Sequence, residues 1–245
     1  MKNADLGSEL DAIKTEYLNP TPDRIVDQSV MALIAEYAVS RVPPGKQVLE
    51  LGVGDQVWTP MLFSKFEEVT SVDASQGLLD DMLTRLPGKA WTPVCKFFED
   101  YEPEQRFDAV FATFVLEHVD DHRIVLERAR QKWLKPGGRL IVVVPHALSL
   151  HRRLAVKMGL SLHPAQLGDT DRRLGHKRCL TYYEMARDVV DAGFSIVESR
   201  GMTCKPLPNG LLAHLSDAQL KGLFELGLDL PIEYAGTIYI QAQSR

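Results

Sequence analysis

Short apolar runs alternate with amphipathic stretches through much of the chain. Runs at 47–51, 69–73, 93–98, 108–113 and 139–145 are rich in Val, Phe, Ile or Leu and short enough to be buried parallel strands. Between them, 75–86 follows a capping Ser75. The stretch 121–134 starts from Asp120-Asp121 and stops before Pro136-Gly137-Gly138, so both are predicted helices. This order predicts an α/β doubly wound sheet. Upstream, 24–39 reads as an amphipathic helix leading into the turn Pro43-Pro44-Gly45. After Pro145 the character changes: 147–180 combines helix-like Leu and Met spacing with many bases and reads as an inserted lid. A helix is expected from Leu180-Thr181 to about Ala192, and strands at 194–198 and 235–241, read as an antiparallel hairpin. The 206–230 segment between those strands reads as helical.

Composition narrows the partners more than the fold. A chain of 245 residues with 45% apolar and 25% charged residues suits one elaborated domain. A net charge of -5 and a pI near 5.8 argue against broad binding to a nucleic-acid backbone. Cys95, Cys179 and Cys204 lack a paired spacing, so neither a disulfide framework nor a cysteine zinc site is indicated, which fits a reducing cytoplasm. Residues 1–9 have no apolar signal core, and no apolar stretch reaches about 18 residues. A soluble cytoplasmic protein without membrane contact is expected.

Chemistry enters at Val48-Leu49-Glu50-Leu51-Gly52-Val53-Gly54-Asp55, because Asp73 follows Gly52 by 21 residues at the end of the next apolar run. Glycines let the backbone approach a ligand closely, and a carboxylate after the second strand can accept both ribose hydroxyls. The pair points to a pocket for a nucleotide-like cofactor. A tight turn beside a solvated Asp is the plainer alternative. Further on come Phe107-Asp108-Ala109-Val110-Phe111-Ala112-Thr113, then Leu116-Glu117-His118-Val119, then Leu134-Lys135-Pro136-Gly137-Gly138-Arg139. In that order and spacing the chain resembles the class I S-adenosylmethionine-dependent methyltransferases, closely over about 45–146 and loosely elsewhere.

The resemblance implies a Rossmann-like seven-stranded sheet with helices on both faces, closed by the last two strands. It implies one domain: 1–45 a helical cover, 46–146 the cofactor-binding core, 147–180 a helical lid over the site, 181–245 the closing helices and strands. S-adenosylmethionine is the implied cofactor. Glu50, Gly52 and Gly54 would meet its methionine end, Asp73 its ribose, and Ala74, Phe98 and Glu99 its adenine, while Thr113 and Phe114 would flank the sulfonium; a structural carboxylate at Glu50 and a helix cap at Asp73 are the alternatives. The sequence departs from the pattern at Gln56, which replaces the third glycine of the first loop.

His118 is the candidate general base, since imidazole titrates near neutrality and follows the fourth strand; a structural role for Glu117-His118 competes with it. Some relatives bind a divalent metal through acidic residues around this histidine, but Phe114 stands where they place a carboxylate, so no metal is expected. His146, after the fifth strand, emerges on the edge where open α/β sheets bind ligands and is a second catalytic candidate, or else a hydrogen-bonded turn residue. The lid carries His151-Arg152-Arg153 and the 172–178 cluster. Arg152, Arg173 and His176 are the substrate-side candidates, matching an anionic or sugar-nucleotide substrate; the plain alternative is a solvated face paired with Asp169, Asp171 and Glu184.

The expected activity is in-line methyl transfer to an oxygen or nitrogen of a small polar metabolite. A nicotinamide-dependent oxidoreductase shares the strand, glycine turn and acid, but Gln56 and the lack of a Tyr-x-x-x-Lys pair weaken that alternative. A non-catalytic partner subunit that keeps the fold is the third reading. Monomer and homodimer are both left open.

Overall fold

The computed structural model describes residues 21–244, so the part of the helical cover at 1–20 lies outside the described residues. Helix α1 (Pro22–Arg41) starts from Thr21, whose side chain accepts the Arg24 amide, with Pro22 in the first turn. Strand β1 (Gly45–Leu51) follows, then a short helix α2 (Trp58–Leu62), β2 (Phe66–Asp73), α3 (Gln76–Arg85) and β3 (Trp91–Cys95). Strand β4 (Phe107–Thr113) leads to α4 (His122–Arg128), which continues as a π-turn over Ala129–Trp133 into β5 (Leu134–Pro145). Helices α5 (Leu150–Lys157) and α6 (Asp169–Arg173) occupy the predicted lid. The chain finishes with α7 (Tyr182–Asp191), β6 (Phe194–Met202), α8 (Asn209–Leu212), α9 (Asp217–Asp229) and β7 (Thr237–Ser244).

The seven strands form one sheet in the order β3-β2-β1-β4-β5-β7-β6, with β7 antiparallel to both neighbours and the other pairs parallel. The last two strands pair antiparallel as expected, although two helices separate them and no tight hairpin joins them. Side chains along the central strands alternate between two cores. Leu49, Leu51, Val110, Ala112, Leu140 and Val142 pack on one face. Val48, Val69, Ala109, Phe111, Ile141 and Val143 pack on the other. Both sets are apolar because helices cover both faces, which is why these strands read as continuous runs rather than alternating ones.

Strand order reverses between β1 and β4, the point where open α/β sheets bind ligands beyond their carboxyl ends. Gly52 and Phe114, the first residues after those two strands, therefore emerge side by side. Among the described residues, no helix is long and apolar enough to cross a membrane.

Candidate active site

The turn after β1 is built around glycine. Gly52 has φ +76° and Gly54 +30°. A Cβ at Gly52 would stand 2.6 Å from Val115 Cγ1, with Phe98 Cζ at 3.9 Å and Asp73 Oδ2 at 4.0 Å. Backbone conformation and crowding both require the missing side chain. Asp73, the last residue of β2, accepts the Val53 amide at 2.9 Å and the Ser75 amide at 2.8 Å, which fixes its carboxylate against the turn. Ser75 in turn caps α3 by accepting the Leu78 amide at 3.2 Å. Ala74 lies between these two, its carbonyl facing Cys95 Sγ at 3.7 Å. Phe98 and Glu99 are not in a strand, because β3 stops at Cys95 and both sit in a 3-10 turn over Phe98–Asp100. That turn brings the Phe98 ring beside Gly52.

Glu50 takes the structural place that was the alternative to a cofactor contact. It is fully buried and accepts from Thr59 Oγ1 at 2.8 Å and Ser71 Oγ at 2.5 Å, so its carboxylate braces β1, α2 and β2 beneath the turn. Burial pushes its pKa up to about 7, against the hydrogen bonds from Ser71 and Thr59. Gln56 takes the left-handed conformation of the glycine it replaces, at φ +62°. Its amide donates to Asp81 Oδ2 at 2.9 Å and to the Leu78 carbonyl, which turns the side chain onto α3. The loop is thus left bare on the ligand side despite the substitution.

A cavity of about 580 Å³ adjoins this turn, walled by α1, the loop after β4, the lid and the 203–237 segment. Small-molecule sites commonly span roughly 300–1,000 Å³. Gln56, Phe114 and Thr203 are the non-glycine residues at positive φ among the described residues, and the last two line the cavity. Such strain gathers at functional sites. A buried ion pair between Arg24 and Asp55 ties α1 to the glycine loop at the cavity wall.

The lid is held down by its own bases. Arg178 donates to the carbonyls of Leu116 at 3.3 Å, Val119 at 2.7 Å and Asp120 at 2.7 Å. The Lys177 amide donates to the Glu117 carbonyl at 2.8 Å, and its ammonium meets Asp120 at 2.5 Å. This clamp sets His176 against His118, ring centroids 4.7 Å apart and near perpendicular at 85°. Glu117 lies beside them, 2% exposed, and neither carboxylate oxygen has a hydrogen-bond partner. Burial pushes Glu117 up to about 7, with the nearby His176 opposing. Burial, with His176 close by, pushes His118 down to about 3, so its ring is neutral at ordinary pH and a weak base.

The structure gathers Gly52, Gly54, Asp73, Ala74 and Phe98 around the turn, with Glu99 following Phe98 in the 3-10 turn, and Phe114, His118, Arg152 and His176 around the cavity. Thr113 ends β4 between the two, buried, its Oγ1 without a partner. Three expectations change. His146 is 1% exposed, with Nδ1 3.2 Å from the Ala235 carbonyl, and does not line the cavity; it packs under the 232–236 segment. Arg173 lies on the exposed face of α6, 3.3 Å from Thr170 Oγ1, and also stays outside the cavity lining. Arg152 reaches the cavity wall, but its guanidinium is committed to both Asp171 oxygens at 2.8 Å and to the carbonyls of Pro164 and Gln166. Asp171, Lys205 and Thr203 are cavity residues that sequence reasoning did not assign to the site. No local signal marks them, since only the fold brings the lid and the 203–237 segment over β4.

A seven-stranded Rossmann-like sheet with a bare glycine turn and a β2 carboxylate at its switch point defines the class I S-adenosylmethionine-dependent methyltransferases. Over residues 23–199 the chain matches the family described as Methyltransferase domain, and it belongs to that family. S-adenosylmethionine is the cofactor. The residues at the turn suit it: the Asp73 carboxylate would hold the ribose and the Phe98 ring would face the adenine, both beside the side-chain-free Gly52. The nicotinamide alternative lapses with family membership.

The chain is 28% identical over 103 residues to phosphoethanolamine N-methyltransferase 1 of Arabidopsis thaliana, covering 40% of this chain and 21% of that protein. It is 29% identical over 137 residues to trans-aconitate 2-methyltransferase of Methylobacterium radiotolerans, covering 54% and 52%. The chain thus spans about half or less of the length of the curated relatives it matches. A methyltransferase solved in complex with the Trm112 methyltransferase activator of Haloferax volcanii has the same fold. Its TM-score is 0.65 at 15% identity, covering 96% of this chain and 97% of that one.

Proposed function

We propose that the chain transfers the methyl group of S-adenosylmethionine to an oxygen or nitrogen of a small polar metabolite held in the cavity beneath the lid. The observation that carries this is that Asp55 of the glycine loop and Phe114 after β4 both line a cavity sized for a small molecule at the switch point of the sheet. When bound, the cofactor supplies an electrophilic methyl group on a sulfonium. The chain's own part is positioning. Gly52, Asp73 and Phe98 fix one end of the reaction line, and Phe114, Thr203 and the lid fix the other. Holding reactants in line is worth effective molarities of about 10⁵–10⁸ M in favourable systems.

Small-molecule relatives support the substrate class; those matched are named for phosphoethanolamine, coclaurine and trans-aconitate. Arg152 and Arg24 are paired with Asp171 and Asp55, Arg173 lies outside the lining and burial holds His151 neutral, so the basic side of the cavity rests on Lys205 and Arg172. A polar acceptor with at most a modest anionic part suits this lining better than a diphosphate. Glu117 stands at the cavity wall, where its loss should affect turnover, whereas His118, held neutral by desolvation, is a poor proton acceptor on its own.

The test is a product screen. Purified protein is incubated with S-adenosylmethionine and panels of small amines, hydroxy acids and sugars, and S-adenosylhomocysteine release is followed. Release dependent on one class of acceptor, lost in Glu117→Gln while cofactor binding persists, is the expected result. Cofactor binding without turnover on any class, together with turnover on a protein or RNA acceptor, contradicts it.

A further inference from the structure

The sequence argues against a metal because Phe114 takes a carboxylate's place, yet the folded lid delivers a third donor from elsewhere. Glu117 is buried with both carboxylate oxygens unpartnered while lining the cavity. A buried carboxylate in that condition is costly unless a cation accompanies it. One ligand atom each from Glu117, His118 and His176 lies within 4.8 Å of the others. We propose that these three side chains form a site for one divalent first-row transition ion, of the zinc or manganese kind, closed by the lid through His176.

The donor set selects the ion class. Two imidazoles and one carboxylate suit zinc, manganese, iron, cobalt or nickel, whereas magnesium and calcium call for oxygen ligands. Three protein ligands leave coordination positions open toward the cavity, as in catalytic rather than structural zinc sites. Ligands about 2.0–2.2 Å from one ion in tetrahedral geometry lie roughly 3.3–3.6 Å apart, so donors that lie within 4.8 Å of one another draw together by up to about 1.5 Å on binding. The supporting shell is already in place. His176 Nδ1 is 3.1 Å from Asp171 Oδ1, which leaves Nε2 for the ion, and Arg152 holds both Asp171 oxygens at 2.8 Å. A carboxylate on the far nitrogen of a ligating histidine fixes its tautomer and orientation. This gives the Arg152–Asp171 pair a purpose that substrate binding did not.

Two consequences follow. The ion joins the lid, through His176, to the loop after β4, through Glu117 and His118. Resting on the methyl-transfer reading, it would also bind the acceptor's oxygen or nitrogen in the open position and lower its pKa, relieving the need for a strong side-chain base.

The experiment uses the full chain, stripped with EDTA and dialysed, and titrated calorimetrically with Zn²⁺ or Mn²⁺ alone. S-adenosylmethionine binding is measured on the same samples as an independent report on the glycine turn. The expected result is one ion per chain in the wild type and at least 100-fold weaker binding in Glu117→Gln, His118→Ala and His176→Ala. Asp171→Asn, a positioning variant, should lose roughly 10-fold. The ion should also slow amide exchange over 166–178 in the wild type and not in His176→Ala. No stoichiometric ion in the wild type, or equal affinity in the Glu117 and histidine variants, overturns the site. Ion binding without cofactor binding leaves the metal site standing and removes the methyl-transfer reading, so the two fail separately.

Discussion

A carboxylate with no exposed surface at position 50 makes stability depend on pH in a definite direction. Burial raises Glu50 from 4.5 to about 7, so the folded chain binds this proton more tightly than the unfolded one. Its contribution is fully present below pH 4.5 and is lost as pH rises through 7, an effect of about 3 kcal/mol. Glu50→Gln should remove that slope, so denaturant titrations should show the variant gaining on the wild type between pH 5 and pH 8; an unchanged difference would contradict the burial argument. At Gly52, alanine meets both the positive φ and Val115 Cγ1, so Gly52→Ala should cost at least about 1–2 kcal/mol in thermal or denaturant unfolding and weaken cofactor binding with it. The pairing of Gly52 with Asp73 was legible in sequence because strand, glycine and acid lie close along the chain. Glu50 reads the same way but points inward, since the alternation of β1 sends it between the strands and α2. His146 misleads for a similar reason: it follows a strand end, but the 232–236 segment, distant in sequence, covers it.

Among the elements, the lid is the part whose hold on the core can be measured. Arg178 supplies three donor contacts to the turn at 116–120, and charged hydrogen bonds contribute about 1.5–3 kcal/mol each when buried. Arg178→Ala should therefore raise amide exchange over 166–178 by roughly 10-fold or more, with β1, β4 and β5 unchanged. Exchange that rises equally in the strands would mean the arginine supports the whole fold rather than the lid. The basic run was legible as a segment of its own after β5, but the direction of its side chains was not. Charge in sequence does not say whether an arginine faces a ligand or a neighbouring carbonyl, and here Arg152 and Arg178 face protein. The third strand shows a different limit. The apolar pair Phe97-Phe98 extends the expected run past Cys95, yet the chain leaves the sheet there, and Phe98 finds its apolar surroundings against Gly52 and the core instead.

For the whole molecule, the reversal of strand order between β1 and β4 matters more than any single residue, because it sets the Gly52 turn and the cavity side by side. That architecture was legible from the spacing of apolar runs, since parallel strands buried on both faces announce themselves without alternation. The cavity was not, because its walls come from stretches far apart in the chain, from α1 to the 203–237 segment. The most direct test is calorimetric binding of S-adenosylmethionine, S-adenosylhomocysteine and NADP to the wild type and to Asp73→Ala, with folding checked by circular dichroism. The expected result is binding of the first two alone, and about 10- to 100-fold weaker binding in the variant, from loss of charge-assisted hydrogen bonds worth about 1.5–3 kcal/mol. Preference for NADP, or S-adenosylmethionine affinity unchanged by Asp73→Ala, would contradict the placement of the cofactor at the Gly52 turn.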